Sequence, residues 1–562
     1  MSRDILDVAI VGGGVSGCYA GYRLLTADPA IPALQGLLKA SGRDRLSVAL
    51  YEASGRIGGR LWSYRFPEAP NAIAEMGGMC FSPLHANVYG LCTKELHLKT
   101  EEAAEFSVYN LQYLRRHRFA FADYDRTDRP DGYYPGTIPY FLDDGEKGQF
   151  PTDLMLSAFK KAVPNVGPLL DRLSKMGKDP HEARKIIGEL DLKLRAALVA
   201  GTDLRLCDYG FWNLLAQHAS QEAYDMATMS SGFYSTTQNW NAYNTLLGAF
   251  VDFSVPQTWT KLKNGYDALP GEMARRFAGL GGAIETRTRL SRFGIEEQAG
   301  EAVVAMRLEA PGVPAWTQKA RNVILAMPPR AVSLLDRSTF VFRNDQFVED
   351  LDTVTCEPAS KLFLTFPEPW WRKVPNQTGA TIQNGQSSTD LPMRLCYYLE
   401  CEDNGVSLLL ASFNDSIAVE YWNGYLPRSR SGLSDQPTGG SQSRPGALLA
   451  DPPPAMVRDA IRQLKIMHGC DVPDPISAAF VNWCADPYGG GFHYWNTHVR
   501  SWDVMPRIRR PVPRANVFFC GEAFSAKQGW VEGAINTAEA TLEAYFGLPR
   551  PTWAPDDYDF GP

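Results

Sequence analysis

Along the chain, apolar positions gather into short runs and into helical spacings. Asp7 to Val11 and Ser47 to Glu52 are short, almost continuous apolar runs, as expected of strands buried on both faces. Leu362 to Phe366 and Val406 to Phe413 predict strands of a mixed sheet, and Asn322 to Met327 is a β-rich run stopped by Pro328-Pro329. Helices are predicted over Cys18 to Leu25, Arg184 to Ala200 and Phe211 to Ala227. Another is predicted where Val457, Ile461, Leu464 and Met467 share one face. The span near residues 150–250 therefore reads as a helical region. Thr26 to Arg45 is a long connection with room for its own helix, and Leu426 to Pro454, rich in Pro, Ser, Gly and Arg, predicts a mobile surface insertion. No internal repeat is seen.

The chain has 562 residues, 44% of them hydrophobic, enough for a large core and more than one structural region. A net charge of −7 argues against nucleic acid or an anionic membrane as partner. Ten cysteines are scattered without a CxxC pair, and eight histidines form no HExxH-type cluster, so no metal is expected and the thiols read as reduced. No stretch reaches the roughly 20 apolar residues that cross a bilayer. The first strand begins too early to leave room for a signal peptide, which makes the cytoplasm the expected compartment.

Chemistry enters directly after the first strand. Gly12, Gly14 and Gly17 form GxGxxG between a strand and a helix. The first glycine permits a tight turn, the second a close approach of backbone to a pyrophosphate, the third close packing of helix on strand. Ser16 lies at the start of that helix, facing the same phosphates, and Glu52 ends the next strand, where a carboxylate can take two ribose hydroxyls; Ala53 follows it. The insertion at 26–45 accounts for the long gap to the acid. Arg56-Ile57-Gly58-Gly59-Arg60 comes next, two glycines and an arginine suited to a diphosphate, and then Glu75-Met76-Gly77-Gly78-Met79, another close-approach pair.

With these segments the chain resembles the flavin monoamine oxidases and L-amino-acid oxidases, from about residue 7 to about residue 548. The C-terminal motif of that family is matched by Gly521-Glu522 and Gly529-Trp530-Val531-Glu532-Gly533-Ala534. The resemblance implies that Gly59, Arg60, Gly77, Gly78, Met79, Gly521 and Glu522 hold FAD, that Leu290 meets its adenine, and that the backbone of Val531 reaches the flavin edge. Trp530, with Gly529 before it, would stand at the flavin face against the substrate. Lys361, opening an apolar run, resembles the lysine that holds a water at the flavin. Phe492 after Gly490-Gly491 lies in the substrate pocket, where monoamine oxidases carry the flavin-linked cysteine, so FAD is expected to be non-covalent. The implied fold is α/β. A Rossmann-like FAD-binding domain of the GR2-type amine-oxidase fold would span residues 1–60, 265–335 and 505–550. A mixed-sheet substrate domain would span 61–145 and 355–500, and a helical domain 146–264, with 426–454 as the flexible insertion. A homodimer is what the family suggests.

Ser388 to Arg394 followed by Tyr397-Tyr398 resembles the L-amino-acid branch. The expected reaction is oxidative deamination of an L-amino acid to a 2-oxo acid, with ammonia and hydrogen peroxide released and O2 as oxidant. Two positions depart from the branch. Cys80 stands where an arginine grips the substrate carboxylate, and Ser412 falls near the place of an assisting tyrosine. Arg394 is one candidate for the missing cation. The alternatives are a carboxylate-free amine or polyamine oxidase, an amino-acid 2-monooxygenase, and a flavin-binding scaffold without activity.

Overall fold

Leu6–Val11 lies at the centre of a seven-stranded sheet because both of its edges and both of its faces are covered. It pairs in parallel with Val48–Tyr51 on one edge and with Val313–Leu325 on the other. Its alternate residues serve two cores. Val8 and Ile10 pack with Tyr19, Tyr22, Met273, Phe277, Ile535 and Leu542. Ala9 and Val11 pack with Val332, Leu335, Phe347, Ile508 and Phe519. A strand enclosed this way has no polar face to show, hence the unbroken apolar run. Ala283–Glu285 extends the sheet beyond Val48–Tyr51, Val517–Phe519 lies parallel on Val313–Leu325, and Arg289–Gln298 with Glu301–Ala310 continues it as an antiparallel ribbon. The computed structural model describes residues 4–103, 110–125, 138–251, 257–298, 300–375, 381–426, 449–484 and 486–562. Most of the predicted mobile insertion, residues 427–448, therefore lies outside the described residues.

A second, eight-stranded sheet runs in the order Leu449–Ala450, Ser477–Asn482, Ala359–Phe366, Val406–Asp415, Leu395–Asp403, Gly385–Thr389, Leu111–Leu114 and His117–Ala120. It is antiparallel except where Gly385–Thr389 meets Leu111–Leu114. Ala359–Phe366 is buried at every position. Its Leu362 and Leu364 pack with Trp371 and with Leu464 and Met467 of the helix Pro454–His468. Phe363 faces the other way, toward Ala72, Ala74 and Met76 of the segment that leads into Gly77.

The long first connection carries a helix, Pro32–Ser41. Pro180–Ala196 covers most of Arg184 to Ala200, its start fixed by the Asp179 carboxylate, which accepts from two N–H groups of the first turn. Phe211 to Ala227 is not one helix, as its spacing suggested, but two, Phe211–His218 and Gln221–Ser230. Ser220 makes the break by capping the second, its hydroxyl accepting from the Ala223 N–H at 3.1 Å. Among the described residues, no helix is long and apolar enough to cross a membrane.

Candidate active site

The glycines of the first turn do different work. A Cβ on Gly12, whose φ is +114°, would lie 2.3 Å from the Ala326 carbonyl oxygen, and one on Gly17 would lie 1.9 Å from the Gly12 carbonyl oxygen. Side chains are excluded at both by backbone. A Cβ on Gly14 would meet nothing nearer than the Gly59 Cα at 3.8 Å. Gly14 instead borders a cavity of about 660 Å³. A helix start with an open glycine before it is the shape that lets a diphosphate approach backbone N–H groups, so the residues present fit a dinucleotide.

The cavity is lined by Glu52, Ala53, Thr288 and Leu290 and by Gly12, Gly14, Ser16 and Gly521. Gly59, Arg60, Gly77 and Gly78 belong to the same wall, as do Lys361, Gly529, Trp530, Val531 and Phe492. Gly17 and Met79 are not on this wall: Gly17 packs helix against strand, and the Met79 side chain joins the apolar cluster around Phe363 and Trp483. The Glu52 carboxylate accepts from the Gly13 and Ser54 N–H groups, both at 2.7 Å, and so ties the glycine turn to the end of the second strand.

Glu522 gathers three segments. It accepts from the His493 N–H at 2.9 Å, from His493 Nδ1 at 2.8 Å and from the Gly529 N–H at 2.7 Å, with an Arg60 guanidinium nitrogen 2.8 Å away. Burial alone would raise this carboxyl, but Arg60 and His493 hold it well below the usual carboxylate range. The His493 imidazole answers in kind: burial opposes its charge, yet Glu522 pushes it up to about 9. Arg60 also donates to the Gly491 carbonyl at 3.0 Å.

Lys361 is the third residue of Ala359–Phe366 and shares its face with Phe363, so its side chain points at the Gly77 turn. Nζ donates to the Glu75 carbonyl at 2.8 Å and the Gly77 carbonyl at 2.6 Å, and it stands 4.5 Å from the Phe413 ring centre. Burial draws this amine down to about 7 and raises the neighbouring Glu75 carboxyl to about 7. Aromatic rings gather around Trp530 and Phe492 of the wall. Trp530 stacks on Trp259 at 5.3 Å and lies 4.6 Å from His85, while Phe492 meets Trp240 edge-on at 5.9 Å.

Neither the two departing positions, Cys80 and Ser412, nor Arg394, the candidate cation, lines the cavity. Arg394 is wholly buried, donates to the Thr389 and Thr228 carbonyls at 2.9 Å each, and lies 4.3 Å over Tyr234, away from the cavity. Ser412 turns to the far side of its strand and donates to the Met393 carbonyl at 2.9 Å. Successive strand residues face opposite ways, so the neighbour Phe413 lines the cavity instead. Cys80 is not on the wall, and burial pushes its thiol up to about 12. Sequence reading did not find Phe413, Trp483 or Tyr488 as wall residues. The alternation of Val406 to Phe413 carried a signal for the first; the other two follow Ser477–Asn482, a strand the sequence pattern did not single out.

A family model described as flavin containing amine oxidoreductase matches residues 35–541. Aplysianin-A of Aplysia kurodai is 26% identical over 572 aligned residues, which take in 97% of this chain and 90% of that protein. The L-amino-acid oxidase of Mus musculus is 24% identical, over 94% of this chain and 69% of its own. Among solved structures, putrescine oxidase bound to putrescine matches with a TM-score of 0.61 and 17% identity, covering 97% of this chain and 99% of that one. At that identity the likeness concerns the fold.

Proposed function

The chain belongs to the flavin-containing amine oxidoreductases, with FAD as its cofactor, and from this premise we propose an oxidase that deaminates L-amino acids. Its products are a 2-oxo acid, ammonia and hydrogen peroxide. Bound FAD supplies the two-electron chemistry, taking electrons from the substrate and passing them to O2. The protein supplies the enclosure. Phe413, Phe492 and Trp530 line the cavity with apolar rings beside which an ammonium is costly, so the neutral amine that can be oxidised is favoured. We assign the FAD contacts to Gly12, Gly14, Ser16, Glu52, Ala53, Gly59, Arg60, Gly77, Gly78, Leu290, Gly521 and Val531, and the substrate face to Phe492, Gly529 and Trp530. Lys361 is assigned to the oxygen reaction. The single observation that carries the reading is one cavity continuous from Gly14 to Lys361 and Trp530. Binding is non-covalent, since a phenylalanine offers no atom for a thioether, and the protein works as a homodimer in the cytoplasm.

A second reading, a carboxylate-free amine or polyamine oxidase, is favoured by one observation: Arg394 is spent on backbone carbonyls rather than on the cavity. Peroxide and organic product, measured over L-amino acids and their decarboxylated counterparts, separate the two. Peroxide with a 2-oxo acid is expected. Peroxide from the amines alone would install the second reading, and an amide with carbon dioxide would make the enzyme a monooxygenase.

A further inference from the structure

From Glu522 on the cavity wall, a chain of contacts runs back through His493 to Cys356. The strands Val354–Glu357 and Phe492–Trp495 pair antiparallel with Cys356 directly opposite His493, so backbone register sets the first contact. Cys356 Sγ lies 3.2 Å from His493 Nε2, and His493 Nδ1 lies 2.8 Å from Glu522 Oε2. A thiol on one ring nitrogen and an orienting carboxylate on the other is the arrangement that activates a nucleophile. His493 and Glu522 are buried, while Cys356 is only partly so, which leaves the relay dry and the sulfur approachable. Gly490 passes close by: a Cβ there would lie 2.9 Å from the sulfur. The Arg330 side chain adds positive charge beside it. Burial pushes the thiols of Cys80 and Cys520 up to about 12 and that of Cys484 to about 11.

We propose that Cys356 is a peroxide-reactive thiol activated by His493, through which hydrogen peroxide made by the enzyme lowers its own activity; the second half rests on the oxidase reading above. The His493 imidazolium presents its Nε2–H to the sulfur, and the thiol proton leaves to water. The sulfur attacks one peroxide oxygen, the S–O bond forms and the O–O bond breaks. The departing hydroxide takes the Nε2 proton and leaves as water, and the imidazole regains from solvent the proton that the thiol lost. Sulfur loses two electrons and peroxide gains them, so one thiol and one hydrogen peroxide give one sulfenic acid and one water. A sulfenic acid is longer than a thiol, so His493 must shift. Glu522, which holds both Arg60 and the Gly529 N–H next to Trp530, shifts with it.

The test uses the holoenzyme, hydrogen peroxide added without substrate, and a dione that traps sulfenic acids, read by peptide mass mapping. Cys356 should be labelled about tenfold or more over Cys80, Cys484 and Cys520. The labelling should slow by a similar factor in His493→Gln, with FAD absorbance confirming that the variant is loaded. Cys356→Ser should keep its activity through a peroxide dose that lowers the wild type. Equal labelling of all four cysteines would overturn the site, and so would a Cys356→Ser enzyme inactivated as fast as the wild type. Because the peroxide is added, labelling does not depend on any substrate being an oxidase substrate. Label with added peroxide but none during turnover of an active substrate would overturn the self-limitation alone.

Discussion

An amine buried as deeply as Lys361 must pair or give up its proton. It does part of each, donating to two carbonyls while burial draws it to about 7 from an ordinary 10.5. Between about 7 and 10.5 the unfolded chain holds the extra proton, so this group makes the fold more stable as pH rises through that window. Glu75, raised from 4.5 to about 7, acts with the opposite sign: the folded state holds its proton, and stability falls as pH rises through 4.5 to 7. For function, the cation at Lys361 exists only below about 7. We expect the reaction of the reduced enzyme with O2, followed by stopped flow, to slow as pH climbs through 7. Lys361→Met should be slower by about tenfold or more below that pH and show no such step. It also leaves the Glu75 and Gly77 carbonyls without their donor, at about 1–3 kcal/mol each, visible as a lower thermal midpoint. Wild-type oxygen rates at all pH values would confine Lys361 to bracing the Gly77 turn.

At the scale of elements, Glu532 shows how a motif can serve a distant helix. Its carboxylate accepts from the N–H groups of Asn87 at 2.9 Å and Val88 at 2.8 Å, in the first turn of Ala86–Gly90, and from the Tyr558 hydroxyl. These are donors that a helix start leaves unmet, and an acid there also faces the positive end of the helix dipole. Glu532→Ala should cost about 2–5 kcal/mol in denaturant unfolding, because two buried N–H groups lose their acceptor, and Glu532→Gln, which keeps one oxygen, should cost less. Equal midpoints for the three proteins would remove the capping role. This contact joins positions 445 residues apart, and nothing local in Gly529 to Ala534 foretells it. The first strand, its glycine turn and Glu52 were legible because each residue type is demanded by its own neighbours in sequence. Phe413 against Ser412 turned on which face of a strand meets the cavity, and Arg394 on which carbonyls surround it; both are facts of register and packing. Ser220 was the intermediate case, a cap whose local signal was outweighed by helical spacing on either side of it.

Over the whole molecule, the cavity takes its wall from both sheets and from the helix Val531–Phe546 that closes the chain onto them. A ligand bound there holds the native state alone, by about 2.7 kcal/mol at a hundred times its dissociation constant. Acid precipitation should therefore release intact FAD. The refolded apoprotein should melt below the holoenzyme and climb back as FAD is added, read by differential scanning fluorimetry. Flavin left in the pellet would reveal a covalent bond, and an apoprotein melting at the holoenzyme temperature would detach cofactor binding from folding. The place of Leu6–Val11 has a consequence for synthesis on the ribosome. Its neighbour Val313–Leu325 is made about 300 residues later, which at about 5–20 residues per second means a delay on the order of 15–60 s. Val517–Phe519, on the far edge of that neighbour, comes later still. Leu6–Val11 is thus left open along this edge while the nascent chain lengthens, and the N–H and C=O groups there must be sheltered by something other than their own sheet.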